Sequence, residues 1–128
     1  MIVIDTNILV RLFTQDDLKK ANQAKLLLES TRKLTISDVV FPELEYILRG
    51  TVYSGTRIQV LKAFHYLVSR KNVSISPEVV RATIIYEETN LDMADCIIAA
   101  TSTGNTLFSF DKKLLSVKGV EKAEITNE

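Results

Sequence analysis

The chain has 128 residues and no net charge, with 16 basic and 16 acidic side chains, which argues against a globally basic nucleic-acid binder. Its composition, 46% hydrophobic and 25% charged, is that of an ordinary globular protein and predicts one domain over residues 1–128. No apolar stretch approaches the ~20 residues of a membrane span, and no secretory signal is evident. The single cysteine, Cys96, excludes an internal disulfide. These features predict a cytoplasmic protein without membrane association.

The first part of the chain alternates short β-branched runs with helical patterns of apolar residues. Asp16 or Asp17 is expected to cap the second helix, Pro42 to lie in the first turn of the third, and Gly50 to end it. The predicted strands are at residues 2–4, 34–37 and 72–75, and the predicted helices are at residues 6–13, 18–31, 40–49 and 56–69.

The second part continues the alternation. Pro77 suits the first turn of a helix over residues 77–88, and Gly104 ends a helix over 91–103. Strands are predicted at residues 106–110 and 123–126. Alternating strands and helices predict a parallel sheet, whose ligands lie beyond the carboxyl ends of its strands. Asp5 and Asp111 both follow predicted strands, so the two carboxylates are expected to meet.

Four carboxylates stand within or beside apolar runs, where an uncompensated charge is costly. Asp5 follows residues 2–4, Glu43 lies within residues 39–44, Asp95 precedes residues 96–100, and Asp111 follows residues 106–110. Each has a local explanation too, because Asp5 and Asp111 could cap helices while Glu43 and Asp95 could lie in helical first turns. Taken together, four such acids predict a shared site for a divalent metal.

The same segments resemble the four sequence blocks of the PIN-domain ribonucleases. Asp5-Thr6-Asn7 after an apolar strand matches the opening motif. Residues 36–44 resemble the second block, residues 92–100 the third, and residues 107–114 the fourth. Each block alone is weak, but their order, spacing and total length match over nearly the whole chain. The nearest group is the VapC-like toxins of bacterial and archaeal toxin–antitoxin pairs.

The resemblance implies a three-layer α/β/α sandwich with a central parallel β-sheet. Asp5, Glu43, Asp95 and Asp111 would form one acidic pocket for Mg²⁺ or Mn²⁺, hard cations that prefer oxygen ligands. The metal would activate a water for in-line attack on a phosphodiester. Asp5 and Asp95 would be ligands, and Glu43 would be a ligand or orient the water.

The same resemblance implies supporting roles for polar residues next to these acids. Thr6, Asn7 and Ser109 would orient the carboxylates by hydrogen bonds, although turn and cap chemistry explains them at least as well. Asp92 is the alternative to Asp95, but it suits a helix N-cap.

The function implied is that of a metal-dependent endoribonuclease, the toxin of a toxin–antitoxin pair, acting on RNA and restrained by a small antitoxin protein. A homodimer is also implied. Surplus apolar helix is expected to contribute to its interface, with Tyr53, Ile58, Phe64 and Tyr66 as candidates that core packing explains equally well.

Rival functions fit less well. A signalling receiver module would need an acidic pair after strand one, and an aspartyl-nucleophile phosphatase would need Asp at position 7, where the chain has Asn7. A PIN scaffold that only binds RNA or protein would not need all four acids. His65 has no Cys or His neighbour and is expected at the surface. Cys96 is expected in the core, and no histidine partner for a cysteine nucleophile is evident.

Overall fold

The computed structural model describes residues 1–126. The chain divides into two compact units, Met1–Ser76 and Pro77–Glu128, and the prediction of a single domain stays a prediction. No helix within the described residues is long and apolar enough to cross a lipid bilayer.

The first unit alternates strands with pairs of helices, as the sequence pattern predicts. Asp17 caps the second helix by accepting a hydrogen bond from the Lys20 N–H at 3.1 Å. Pro42 lies in the first turn of the third helix, and Gly50 follows its last residue. The elements are β1 (Ile2–Val3), α1 (Thr6–Thr14), α2 (Leu18–Leu28), β2 (Leu34–Thr35), α3 (Val40–Arg49), α4 (Arg57–Ser69) and β3 (Val73–Ser74).

The sheet of this unit is parallel, with the strand order β1-β2-β3. Leu34 of β2 pairs with Ile2 on one side and with Val73 on the other. The hydrogen-bond ladder extends past the strand assignments, because the Ile4 N–H donates to the Thr35 carbonyl at 3.0 Å. Two helices separate each pair of neighbouring strands in sequence, which is how parallel strands are connected. The ladder therefore carries the chain in extended form to the residue before Asp5.

The core of the first unit is built from aliphatic and aromatic side chains of its helices and of β2. Phe41 and Phe64 are fully buried, with ring centroids 5.5 Å apart. The expectation that Phe64 contributes to a dimer surface is therefore wrong, because its ring has no exposed area. His65, the next residue along α4, is exposed as predicted.

The second unit contains three helices and a two-stranded parallel sheet within its described residues. Its helices α5 and α6 pack against each other, and Cys96 of α6 is fully buried, as predicted. Thr106 pairs with Glu121 and Leu107 pairs with Lys122. The elements are α5 (Pro77–Glu88), α6 (Met93–Thr101), β4 (Thr106–Leu107), α7 (Lys112–Leu115) and β5 (Glu121–Lys122).

Two helices end earlier than predicted, and in each a hydroxyl group bonds to the last turn. Helix α2 ends at Leu28, not at residue 31, and the Ser30 hydroxyl donates to the Leu27 carbonyl at 2.6 Å. Helix α6 ends at Thr101, not at residue 103, and the Ser102 hydroxyl donates to the Ala99 carbonyl at 2.7 Å. Such side-chain bonds compete with the helical backbone pattern.

The last two strands also differ from the prediction. Strand β4 ends at Leu107, so the expectation of a strand through residue 110 that ends directly at Asp111 is wrong. Strand β5 covers Glu121 and Lys122, not residues 123–126. Both residues of β5 are exposed, so hydrophobic alternation could not reveal it. Backbone pairing with β4 defines this strand, and that pairing ends with the Ala123 N–H donating to the Leu107 carbonyl.

Candidate active site

Asp5 occupies the N-cap position of α1 but does not act as a cap. Its backbone is extended (φ −80°, ψ 152°), and its carboxylate accepts no cap hydrogen bond within the described part of the chain. The side chain is exposed, whereas Thr6 is buried beside it. The local explanation of Asp5 as a helix cap is therefore wrong, which leaves both carboxylate oxygens for another role.

Glu43 lies in the first turn of α3 and is exposed to solvent. This turn depends little on side-chain caps, because the N–H groups of Val40 and Phe41 donate to carbonyls of the preceding turn and Pro42 has no N–H. The predicted position in a helical first turn is confirmed. Its negative charge is favourable there because of the helix dipole, so this position alone does not establish a metal-binding role.

Asp92 and Asp95 take different positions at the start of α6. Asp92 is the N-cap, and its Oδ1 accepts a hydrogen bond from the Asp95 N–H at 2.9 Å. The preference for Asp92 as the cap is confirmed. Asp95 is half-buried in the first turn of the helix. Its backbone N–H donates to the cap residue, and its carboxylate takes no part in capping.

Asp111 caps the short helix α7 with one of its two carboxylate oxygens. Its Oδ1 accepts hydrogen bonds from the N–H groups of Lys113 (2.9 Å) and Leu114 (3.3 Å). Both bonds use the same oxygen, so Oδ2 remains for a cation. The Asp111 N–H donates to the Ser109 Oγ at 3.0 Å. Ser109 thus orients Asp111 through its backbone, whereas the prediction was a hydrogen bond to the carboxylate.

The electrostatics of the second unit bring Asp95 and Asp111 into one environment. Burial raises the pKa of the Asp95 carboxyl above its ordinary value, and the negative charges of Asp92 and Asp111 raise it further. None of the four candidate acids forms an ion pair with a Lys or Arg among residues 1–126. A hard divalent cation would fit the carboxylates of Asp95 and Asp111, because it would supply the positive charge that the surrounding residues do not.

The apolar runs beside the four acids do not bury them, so the premise that a charge is costly at all four positions is wrong. Asp5, Glu43 and Asp111 are exposed, and Asp95 alone of the four is half-buried. They divide equally between the units, with Asp5 and Glu43 in the first. No group of three or more His, Cys, Asp or Glu side chains within residues 1–126 is arranged as a preformed metal site. The shared pocket and the roles of Thr6 and Asn7 therefore stay predictions.

Other residues near these acids were not identified from the sequence. Glu45 is buried, with 8% of its surface exposed, in the same helix as Glu43. Its spacing from Phe41, Leu44 and Leu48 follows the buried face of a helix, and this pattern could have revealed it. Phe108 and Phe110 were assigned to a strand, but they are exposed beside Asp111. The alternation of aromatic and polar residues before two lysines was the available signal.

Comparison with known proteins agrees with the predicted family. The family model described as PIN domain matches residues 2–120. PIN domains have a three-layer α/β/α fold and are generally nucleases that need metal ions. The predicted fold class is therefore confirmed. No match to this chain was found among curated proteins or among solved structures.

Proposed function

This chain belongs to the PIN domain family, and from that membership and the arrangement of its acids we propose that it is a Mg²⁺- or Mn²⁺-dependent endoribonuclease. The observation that carries the proposal is the environment of Asp95, whose pKa is raised by burial and by the negative charges of Asp92 and Asp111. Asp95 is half-buried beside the negative charge of Asp111, and Asp111 keeps one oxygen outside its cap hydrogen bonds. A divalent cation held by both residues would remove their repulsion.

Two further acids are proposed as ligands from the motif resemblance. Asp5 follows the extended segment of β1 and has no capping role, so its carboxylate is available as a ligand. Glu43 is exposed at the start of α3, where it could bind the metal or orient a water. When bound, the metal would supply Lewis-acid activation of that water and neutralise charge that develops on the phosphodiester. Asp92 has the separate task of capping α6.

The test is cleavage of RNA labelled at either end by the purified protein. We expect internal cuts with Mg²⁺ or Mn²⁺, no cuts in EDTA, and restored cutting when the metal is added back. Binding of Mn²⁺, followed by electron paramagnetic resonance, gives a readout that does not depend on cleavage. RNA binding without cleavage under every metal condition would favour the alternative, an idle PIN scaffold that binds RNA or protein.

We further propose that the nuclease is the toxin of a toxin–antitoxin pair, acts on RNA in the cytoplasm, and is restrained by a small antitoxin protein. The motif resemblance to VapC-like toxins supports this role. Expression of the chain should stop growth of a bacterial host, and co-expression of a small neighbouring reading frame should relieve the arrest. Growth arrest by a variant without nuclease activity would contradict the assignment.

A homodimer is part of the same proposal. Ile58 and Val52 are large apolar side chains exposed on the first unit, and Ile58 was expected at the interface from the sequence. Burial of such side chains between two copies would be favourable. Light scattering should give about twice the 14.4 kDa mass of one chain, and a monomer at all concentrations would exclude the dimer.

A further inference from the structure

Two aromatic side chains stand exposed directly before Asp111. Phe108 is 58% exposed and Phe110 is 91% exposed. Their ring centroids are 5.4 Å apart and their planes are inclined at 70°, an edge-to-face contact. We call these two residues the phenylalanine pair. Exposed apolar patches are the usual places where a partner or ligand binds, so the pair is a candidate binding surface.

Local geometry explains why both rings face the same way. Residues 108–110 lie beyond the last residue of β4, so no strand partner covers them among the described residues. Phe108 and Phe110 are two residues apart in this segment, and their rings are in edge-to-face contact. The hydrogen bond from the Asp111 N–H to the Ser109 Oγ then holds the turn that leads into α7. The rings are thus attached through a short, bonded segment to a candidate metal ligand.

The charges beside the pair are those that suit a polyanion. Lys112 and Lys113 follow Asp111, are exposed, and form no ion pair within residues 1–126. The segment 106–122 contains four lysines and two acids, although the whole chain is neutral. Positive side chains bind phosphates without reading sequence, and aromatic rings supply stacking surfaces for bases.

We propose that the phenylalanine pair stacks on an unpaired nucleobase of the RNA, next to the phosphate that the metal site engages, while Lys112 and Lys113 contact neighbouring phosphates. This inference rests on the proposed ribonuclease function and adds its substrate-binding residues. The outer ring, Phe110, supplies most of the stacking face because it is almost fully exposed. A second protein chain is a weaker occupant, since the lysines at the edge of the pair would have to be desolvated or paired.

The experiment measures binding of a short single-stranded RNA that carries the fluorescent base 2-aminopurine. EDTA is present so that binding is read without cleavage. Phe110→Ala should weaken binding by roughly 5- to 100-fold, the range expected for loss of one stacked base, and should abolish the quenching of the fluorescent base. Phe110→Trp should preserve both, whereas Phe110→Leu should not, because leucine is apolar but has no aromatic face.

Matched variants separate stacking from general effects. Ile84→Ala removes an exposed apolar side chain elsewhere in the second unit and should bind RNA as the wild type does. The double variant Lys112→Ala, Lys113→Ala should reduce the dependence of affinity on salt while the quenching of the bound base persists. Circular dichroism checks that each variant folds.

The outcomes distinguish this inference from the proposed function. Unchanged RNA binding in both Phe108→Ala and Phe110→Ala, with a wild type that cuts RNA, would overturn the stacking role alone. If the wild-type protein binds RNA through the phenylalanine pair but never cuts it, the proposed nuclease function is wrong and the stacking role is supported. If Phe110→Ala keeps its RNA affinity but halves the mass in light scattering, the pair is an interface between copies and the inference is wrong.

Discussion

The starts of α6 and α7 both combine a capping carboxylate with a carboxylate oxygen outside the cap, but α6 uses two residues and α7 uses one. At α6, Asp92 caps the helix and Asp95 is left with an uncommitted carboxylate. At α7, Asp111 caps the helix with Oδ1, and its Oδ2 takes no part in the cap. In both places a helix start is capped while a carboxylate oxygen stays outside the cap hydrogen bonds. At α6 the second carboxylate belongs to another residue, and at α7 the second oxygen belongs to the same one.

The largest expected effect comes from separating the two tasks at α6. Asp95→Asn should lower metal-dependent RNA cleavage by on the order of 100-fold or more, because a ligated metal contributes several kcal/mol of transition-state stabilisation. Asp92→Asn is the matched control, since Asn is also a good N-cap, and it should retain activity within a few-fold. Cleavage rates with Mg²⁺ measure both, and equal losses in the two variants would contradict the division of tasks.

At α7 the cap and the proposed metal ligand are one residue, so two different substitutions of Asp111 are compared. Asp111→Asn keeps a cap oxygen and should lose activity with little loss of stability. Asp111→Ala removes the cap as well and should cost about 1 kcal/mol in the free energy of unfolding. Urea unfolding of both variants checks this. If Asn destabilises the protein as much as Ala does, then the charge of Asp111 serves the fold and not the site.

A smaller effect compares Asp5 with Asp92. Both occupy N-cap positions, but Asp92 alone of the two makes the cap hydrogen bond. Asp92→Ala should therefore cost about 1 kcal/mol in the free energy of unfolding, whereas Asp5→Ala should stay within about 0.5 kcal/mol. Urea unfolding in EDTA is the measurement, and a large loss in Asp5→Ala would show a structural role for this side chain.

The smallest effect is the pH dependence of stability without metal. The pKa of Asp95 is raised above its ordinary value of 3.8, first by burial and then by Asp92 and Asp111. The folded state therefore holds this proton more tightly than the unfolded state, so stability should fall as pH rises from 3.8 through the raised pKa. Mg²⁺ should reverse the loss by binding the folded state.

Asp95→Asn provides the control for this titration. In EDTA it should melt at a higher temperature than the wild type above the raised pKa, and it should respond less to Mg²⁺. Thermal melting at two pH values with and without metal measures both. A lower melting temperature with an unchanged Mg²⁺ response would identify Asp95 as a purely structural residue.

The sequence by itself determined the alternation of strands and helices and the cap at Asp92, and it limited the cap of α2 to Asp16 or Asp17, of which the structure uses Asp17. These cap hydrogen bonds join residues three apart, so both partners lie close together in the sequence. The four blocks around Asp5, Glu43, Asp95 and Asp111 also indicated the PIN domain family, which the family comparison confirmed. Apolar patterns reliably placed the helices for the same reason, because helical contacts are local.

The tertiary structure alone decided which of these side chains are exposed and which acids share an environment. Strand β4 ends at Leu107 because its partner β5 ends there, and that partner comes from residues much later in the chain. Phe108 and Phe110 lie beyond this end and are exposed, although the sequence pattern predicted a strand through residue 110. Likewise, the charge of Asp111 acts on Asp95 across sixteen residues of sequence. Strand pairing and electrostatic contact depend on distance in space, which local sequence patterns do not encode.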